Sequence, residues 1–235
     1  MKLSWCRNAH LLWAARGLGR EVWLKIFRLA RIYQELDSRL DKFRGKTGLG
    51  CLPGCGKCCV NPYVETSVPE LIPVAAELWR RGRVSLWLRR VLDRETRSSR
   101  GCVFYRPHPF AQGQGRCGIY PLRPLTCRLY GFSARRDKTG QKKLEACSLI
   151  RASFPGKVAA ANEMIGAGLD VPVMALYRDR VRDAGRGMDT ELYSINTALR
   201  RSIERIGLAR QLHSGKSTSG RVRHGYEKNA EKGTE

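Results

Sequence analysis

Cys51-Leu52-Pro53-Gly54-Cys55-Gly56-Lys57-Cys58-Cys59 places four thiols within nine positions, in a stretch too rich in glycine and proline to continue a helix. It reads as a loop folded round something. Thiolates are soft ligands that suit zinc or iron-sulfur chemistry. The two residues between Cys55 and Cys58 are the spacing of a metal knuckle, and the glycine after Cys55 lets the chain turn its amides toward sulfur. Cys58 and Cys59 are adjacent and cannot easily face the same way in an extended chain, which points them at two different centres. Outward from this stretch, Cys102, Cys117, Cys127 and Cys147 bring the set to eight, enough for two four-ligand ion sites or for one cluster and a second site. Cys6 lies apart beside Trp5 and reads as a non-ligand. Two alternatives compete with ligation. Cysteines also pack as small hydrophobes, and in an oxidising compartment they form disulfides. Thiols flanked by Gly, Pro and Lys do not make an apolar core strip, which weighs against the first.

The second alternative turns on location. Arg or Lys interrupts every apolar run of the 235-residue chain, so no membrane span is expected. The apolar run 11–15 is bracketed by Arg7 and Arg16 and is followed by no small-residue cleavage pattern, so it does not read as an export signal. The expected location is cytoplasmic, where thiols stay reduced and a dense cluster is a metal site rather than a disulfide framework. Composition adds one anomaly: 44 Lys and Arg against 21 Asp and Glu leave a formal charge of +23, nearly all of it ahead of residue 213. A 42% hydrophobic content is enough to drive collapse, so disorder is not the default.

Around the thiols the pattern is mainly helical. Val22, Ile26, Leu29, Tyr33, Leu36, Leu40 and Phe43 recur at spacings of four and three, predicting a long amphipathic helix from residue 19 that ends before Gly48. Ser67 and Glu70 fit a capping box ahead of a helix through 71–79, and a second helix is expected over 84–97. Residues 102–105 and 117–120 are short strand candidates for a small hairpin around the turn at 113–115. Helices follow at 158–165, 173–181 and 188–206. The expected fold is mainly α with a small β-hairpin: a single domain, residues 19–212, with a metal-centred cysteine-rich core at 50–150. An N-terminal segment, 1–18, precedes it and a disordered basic tail, 213–235, follows. Gly215-Lys216-Ser217 is not a phosphate loop, because Arg210 stands where glycine is required and no strand precedes it.

The run Cys51-x3-Cys55-x2-Cys58-Cys59, then Cys102, then Arg116-Cys117-Gly-Ile-Tyr120-x2-Arg123-Pro124-x2-Cys127-Arg128-x-Tyr130, then Cys147, resembles the YkgJ-type cysteine-cluster family, a zinc- or iron-chelating domain. The resemblance implies a metal-chelating domain over about residues 50–150, often described as an iron-sulfur oxidoreductase without a defined substrate; some larger relatives are linked to lysine methylation of flagellin. The chain departs from the family in having three residues, not two, between Cys51 and Cys55, which makes Cys51 the least secure early ligand. The same departure matches the cluster spacing of radical S-adenosylmethionine enzymes. Those need a large barrel of alternating strands and helices, which the sequence after Cys59 does not show, and usually an aromatic residue where this chain has Lys57.

Eight thiolates outweigh the charge of two divalent ions, so cations must compensate. Arg116, Arg123, Arg128 and Lys57 stand beside the cysteines and are candidates to bind sulfur or nearby carbonyls, Arg123 equally as a tie for its own loop. Tyr120 and Tyr130 read as packing residues and His108 as an exposed loop residue. Arg80, Arg81, Arg83, Arg89 and Arg90, near Trp79 and Trp87, form a weak nucleic-acid signal that a solvated helix face explains as well. No catalytic base or nucleophile is identified, and Glu65, Glu70 and Asp93 have no spacing that demands acid-base work. Two functions are expected from different classes. One is a cysteine-cluster protein holding an iron-sulfur cluster in preference to zinc, as an oxidoreductase or electron-transfer protein with a redox partner. The other is a zinc-stabilised binding module whose Arg-rich surface takes RNA or another acidic partner.

Overall fold

The computed structural model describes residues 18–97, 101–111 and 113–218, with the backbone alone for 214–218. The readings of Cys6 and of the apolar run 11–15 fall outside the described residues. The fold is mainly helical with small antiparallel strand pairs. Helix α1, Arg20–Thr47, buries the expected stripe from Val22 to Phe43 and closes at Gly48, whose N–H bonds the Arg44 carbonyl at 2.8 Å. Glu21 in its first turn and Arg44 and Lys46 in its last oppose the helix dipole. The cysteine loop follows and contains one short helical turn, α2, Lys57–Val60.

Strand β1, Glu65–Ser67, runs into α3, Val68–Arg80, whose capping box of Ser67 and Glu70 is formed. Residues Val68 to Leu78 of α3 are all buried, so this helix is enclosed on every side. Helix α4, Val84–Thr96, lies on its flank. Strands β2, Tyr105–Pro107, and β3, Gly115–Cys117, make the expected hairpin, shifted toward its turn. Residues 102–104 form a turn ahead of β2, because Cys102 N–H bonds the Cys59 carbonyl at 2.8 Å instead of a strand partner, and Tyr105 N–H closes onto the Cys102 carbonyl at 3.0 Å. A 3-10 turn at Tyr120–Leu122 leads into α5, Leu125–Leu129.

Strands β4, Ser133–Arg136, and β5, Lys142–Glu145, form a second hairpin that the sequence reading does not contain. Helices α6, Ser148–Ser153, α7, Pro155–Gly166, and α8, Met174–Ala184, follow. The expected helix at 188–206 begins only at Ile195: Leu192–Ser194 is a strand, β6, paired with β1 in the register Glu65↔Ser194. The last helix, α9, Ile195–Thr218, passes through His213, where the sequence reading starts a disordered tail. The described residues contain no parallel barrel; the named strands form two-stranded antiparallel sheets. None of their helices is long and apolar enough to cross a membrane.

The core has two parts. One surrounds α3 and α9 and takes in Cys59, Cys102 and Cys127; the other lies between α1, α7, α8 and the β4–β5 hairpin. Helix α5 joins them, with Cys127 in the first and Leu125 and Leu129 in the second. Since β1 feeds α3 and β6 feeds α9, pairing β1 with β6 sets those two helices side by side beneath the thiols.

Candidate metal centre

The thiols are delivered by several different local devices. Cys58 and Cys59 sit on α2, Cys102 in the turn before β2, Cys117 at the end of β3, Cys127 on α5, and Cys147 at the N-cap of α6. The cysteine loop is closed onto the hairpin by Gly115 N–H, which bonds the Gly54 carbonyl at 2.9 Å. Between these strands of chain lies the Tyr105 ring, packed so tightly on Gly56 and Gly115 that neither has room for a Cβ. The Tyr105 hydroxyl donates to the Gln114 carbonyl at 2.9 Å.

The result is a closed cavity of about 10 Å³ lined by Cys58, Cys59, Cys102, Cys117, Cys127 and Arg123. That is room for one ion or one water. Cys59 is the hub: its thiol lies in hydrogen-bonding reach of Cys102, Cys117 and Cys58, and those contacts together with burial hold its proton on far above the ordinary thiol value. The Cys59 hydrogen bond brings Cys58 down to about 7, against the effect of burial and with help from the Arg123 charge. Cys117 is lowered by the same Cys59 contact, by the Ile119 amide and by Arg123. Cys127 is raised well above normal by burial and then by the charges of Cys58, Cys102 and Cys117. Five sulfurs share one small space, and a positive centre is what would let them all ionise.

The other three thiols form an outer group. Cys51 is exposed at the surface; partial burial of its sulfur and the neighbouring Cys55 and Cys58 raise its pKa, while Arg44 and Arg123 oppose them. The Tyr130 hydroxyl is raised first by burial, then by the charges of Cys147, Cys58 and Cys55, and it accepts a hydrogen bond from Asn61 Nδ2 at 3.0 Å. The structure therefore gathers Cys58, Cys59, Cys102, Cys117 and Cys127 closely, and sets Cys51, Cys55 and Cys147 nearby with Cys58 between the groups. Among the described residues no three or more His, Cys, Asp or Glu side chains already stand round a common ion position. Fit therefore rests on the donor chemistry: five thiols in the lining as its only metal-ligating side chains, and an ion-sized space, both of which suit zinc or iron.

The four candidate cations separate. Arg123 lines the cavity, stacks 3.6 Å from the Tyr120 ring centroid, and donates to the carbonyls of Tyr120 at 3.1 Å and Cys127 at 3.4 Å. It is both a loop tie and the charge nearest the thiols. Arg128 serves carbonyls, not sulfur: it is 2% exposed, its Nε donates to Arg123 O at 2.8 Å and its Nη2 to Pro121 O at 2.7 Å, and its Nη1 donates to both Asp37 carboxylate oxygens at 2.7 and 2.6 Å. Lys57 and Arg116 are exposed. His108 is exposed at the hairpin tip, where its Nδ1 accepts the Phe110 N–H.

Supporting residues that the sequence reading missed are Asp37 and Asn196. Asn196 accepts the Val103 N–H at 2.9 Å and donates to the Gly101 carbonyl at 3.0 Å, which pins the Cys102 turn to α9. Only the tertiary pairing reveals either, since both are remote in sequence from any cysteine. Glu70 does more than cap: its second oxygen accepts the Thr126 N–H at 3.1 Å and so locks α3 to the residue before Cys127. The stacking platforms suggested for Trp79 and Trp87 are occupied by packing. Trp79 donates to the Ile203 carbonyl at 2.9 Å and lies against Gly207, and Trp87 packs on Phe104 with ring centroids 4.5 Å apart.

Comparison with curated proteins and with solved structures returns no match. Comparison with family models matches residues 50–148 to the family CxxCxxCC, described as a putative zinc- or iron-chelating domain. The segment that delivers all eight thiols therefore matches the cysteine-cluster family that their spacing resembles.

Proposed function

We propose that residues 50–148 form a thiolate metal centre, with the inner group of Cys58, Cys59, Cys102 and Cys117, backed by Cys127, holding a single zinc or iron ion. The observation that carries this reading is the gathering of five thiols round one ion-sized, buried cavity. Thiolates on one tetrahedral ion, each about 2.3 Å from the metal, must stand within touching distance of one another. The four ligands of a cubic cluster are held farther apart, each on its own iron. The hydrogen-bonding reach of Cys59 to three other thiols fits the first arrangement better, although the spacing along the chain favours the second. Cys51, Cys55 and Cys147 would serve an outer site shared through Cys58.

When bound, the ion supplies the positive charge that lets the clustered thiols ionise together. The chain contributes the rest: Arg123 balances residual negative charge, and Arg128, Glu70 and Asn196 hold the ligand-bearing turns in place. The thiols come from separate stretches of chain, so ligation and folding are coupled and the centre acts first as a structural clamp.

The test is anaerobic purification followed by elemental analysis for zinc, iron and acid-labile sulfide. Metal without sulfide is the expected result. Iron with stoichiometric sulfide would replace the single-ion reading by an iron-sulfur one and make electron transfer the working function. A folded protein free of metal would overturn both.

A further inference from the structure

Helices α1 and α8 carry a second concentration of charge, on elements outside the cysteine segment. Arg39 Nε bonds Asp170 at 2.9 Å and Arg39 Nη1 donates to the Tyr177 hydroxyl at 3.1 Å. Tyr177 donates to Glu35 at 3.2 Å, and Arg180 Nη1 donates to Glu35 at 2.8 Å. Higher numbers on α1 meet lower numbers on α8, so the helices run antiparallel, and these bonds lock one end of the pair. Toward the other end the pair opens into a groove of about 590 Å³. Its walls are Arg28 and Arg31 from α1 and Arg180 and Arg186 from the α8 side, and Ile32 and Ala184 close the floor. Asp183 also lines it and reaches Arg186 at 3.8 Å. Arg28 and Arg31 are exposed and have no carboxylate partner among the described residues.

Packing does not need these two arginines, because Ile32 and Ala184 already fill the interface below them. Placed three apart on one face, they repel each other at a small cost to the helix. A guanidinium fork matches two oxygens of a phosphate; Arg28 and Arg31 offer two unpaired forks one helical turn apart, Arg186 across the groove is only loosely held by Asp183 at 3.8 Å, and Arg180 stays with Glu35, so the lining matches successive phosphates better than one compact anion. No Asn or Gln lines the groove to read base edges. The chain's +23 charge would extend the attraction beyond the groove. We propose that the α1–α8 groove binds the phosphodiester backbone of a nucleic-acid strand without regard to its sequence.

This inference is independent of the metal reading, and its test does not read metal. The full-length protein is titrated into a short fluorescein-labelled single-stranded RNA at several salt concentrations, and anisotropy is followed. Each phosphate contact contributes about 0.7 to the slope of log affinity against log salt. The variant Arg28→Glu/Arg31→Glu should therefore lower that slope by about 1.4 and weaken binding at low salt by about tenfold or more. The variant Lys42→Glu/Lys138→Glu makes the same change in net charge at exposed positions away from the groove and should keep most of the affinity. Should the groove reversal fail to fold, Arg28→Gln/Arg31→Gln carries the same comparison. Equal losses in the groove and control variants, no binding by the unmodified protein, or displacement of the strand by millimolar inorganic phosphate would each overturn the proposal.

Discussion

Asp37→Ala removes the carboxylate that faces Arg128 and leaves a guanidinium that is 2% exposed with only the carbonyls of Arg123 and Pro121 as acceptors. Breaking a fully buried ion pair from one side costs about 3–5 kcal/mol. Asp37 retains 24% of its side-chain exposure, so water reaches the vacated position and the expected loss falls to about 2–3 kcal/mol. For a domain of this size each kcal/mol lowers Tm by about 2–4 °C, which makes the drop about 4–12 °C. The loss should act on the metal centre as well. Arg128 ties α5, which bears Cys127, to α1 while it also stacks 4.7 Å from the Tyr33 ring centroid. Urea unfolding followed by circular dichroism gives the free energy, and a double-mutant cycle with Arg128→Met isolates the pair. The reasoning fails if Asp37→Ala costs under about 0.5 kcal/mol, the scale of a surface substitution. It fails also if the cycle shows no coupling between the two positions.

Cys59→Ser should abolish metal retention by the inner site, because Cys59 lines the cavity and is the thiol whose proton Cys102, Cys117 and Cys58 all act on, whereas Cys51→Ser, at an exposed position, should keep the inner ion; elemental analysis of both variants checks this. Asn196→Ala leaves the Val103 amide without its acceptor and should cost about 1–3 kcal/mol, measured by urea unfolding, with weaker metal retention if the Cys102 turn loosens. Glu77 is pushed up by burial but pulled below the ordinary carboxylate value overall by Arg80 and Arg81. A lowered folded-state pKa means stability that is present above the unfolded value and lost as pH falls through the folded one. The stability gap between the unmodified protein and Glu77→Gln should therefore be largest near neutrality and close on acidification below the ordinary carboxylate value of 4.5. Unfolding of both proteins across that range tests it, and a gap that widens in acid would refute it.

Much of the architecture is legible in the sequence alone. The three-four spacing from Val22 to Phe43 required a helix with one buried face, and Ser67 with Glu70 announced the start of α3. Short strands were harder. Leu192–Ser194 lies next to a strong helical pattern and is extended only because β1 pairs with it from over a hundred residues away, and a long-range partner leaves no local trace. The β4–β5 hairpin, with its charged Arg135, Arg136, Lys142 and Lys143, shows too little apolar alternation to stand out.

For the site the division is similar. Eight thiols, their flanking glycines and their tally of charge are properties of the chain, because ligand chemistry is local to the side chain. Which thiols meet is not. The grouping of Cys58, Cys59, Cys102, Cys117 and Cys127 round one cavity depends on β2–β3 pairing, on the Tyr105 ring between two glycines and on Asn196 reaching back from α9. Arg128 could equally have served sulfur until Asp37 claimed it across 91 positions, and Trp79 and Trp87 could have stacked on bases until Gly207 and Phe104 covered them. Sequence determined the donor set and the helices that frame it. Only the tertiary structure decided which donors converge, since convergence is set by contacts between segments that are neighbours in space and not along the chain.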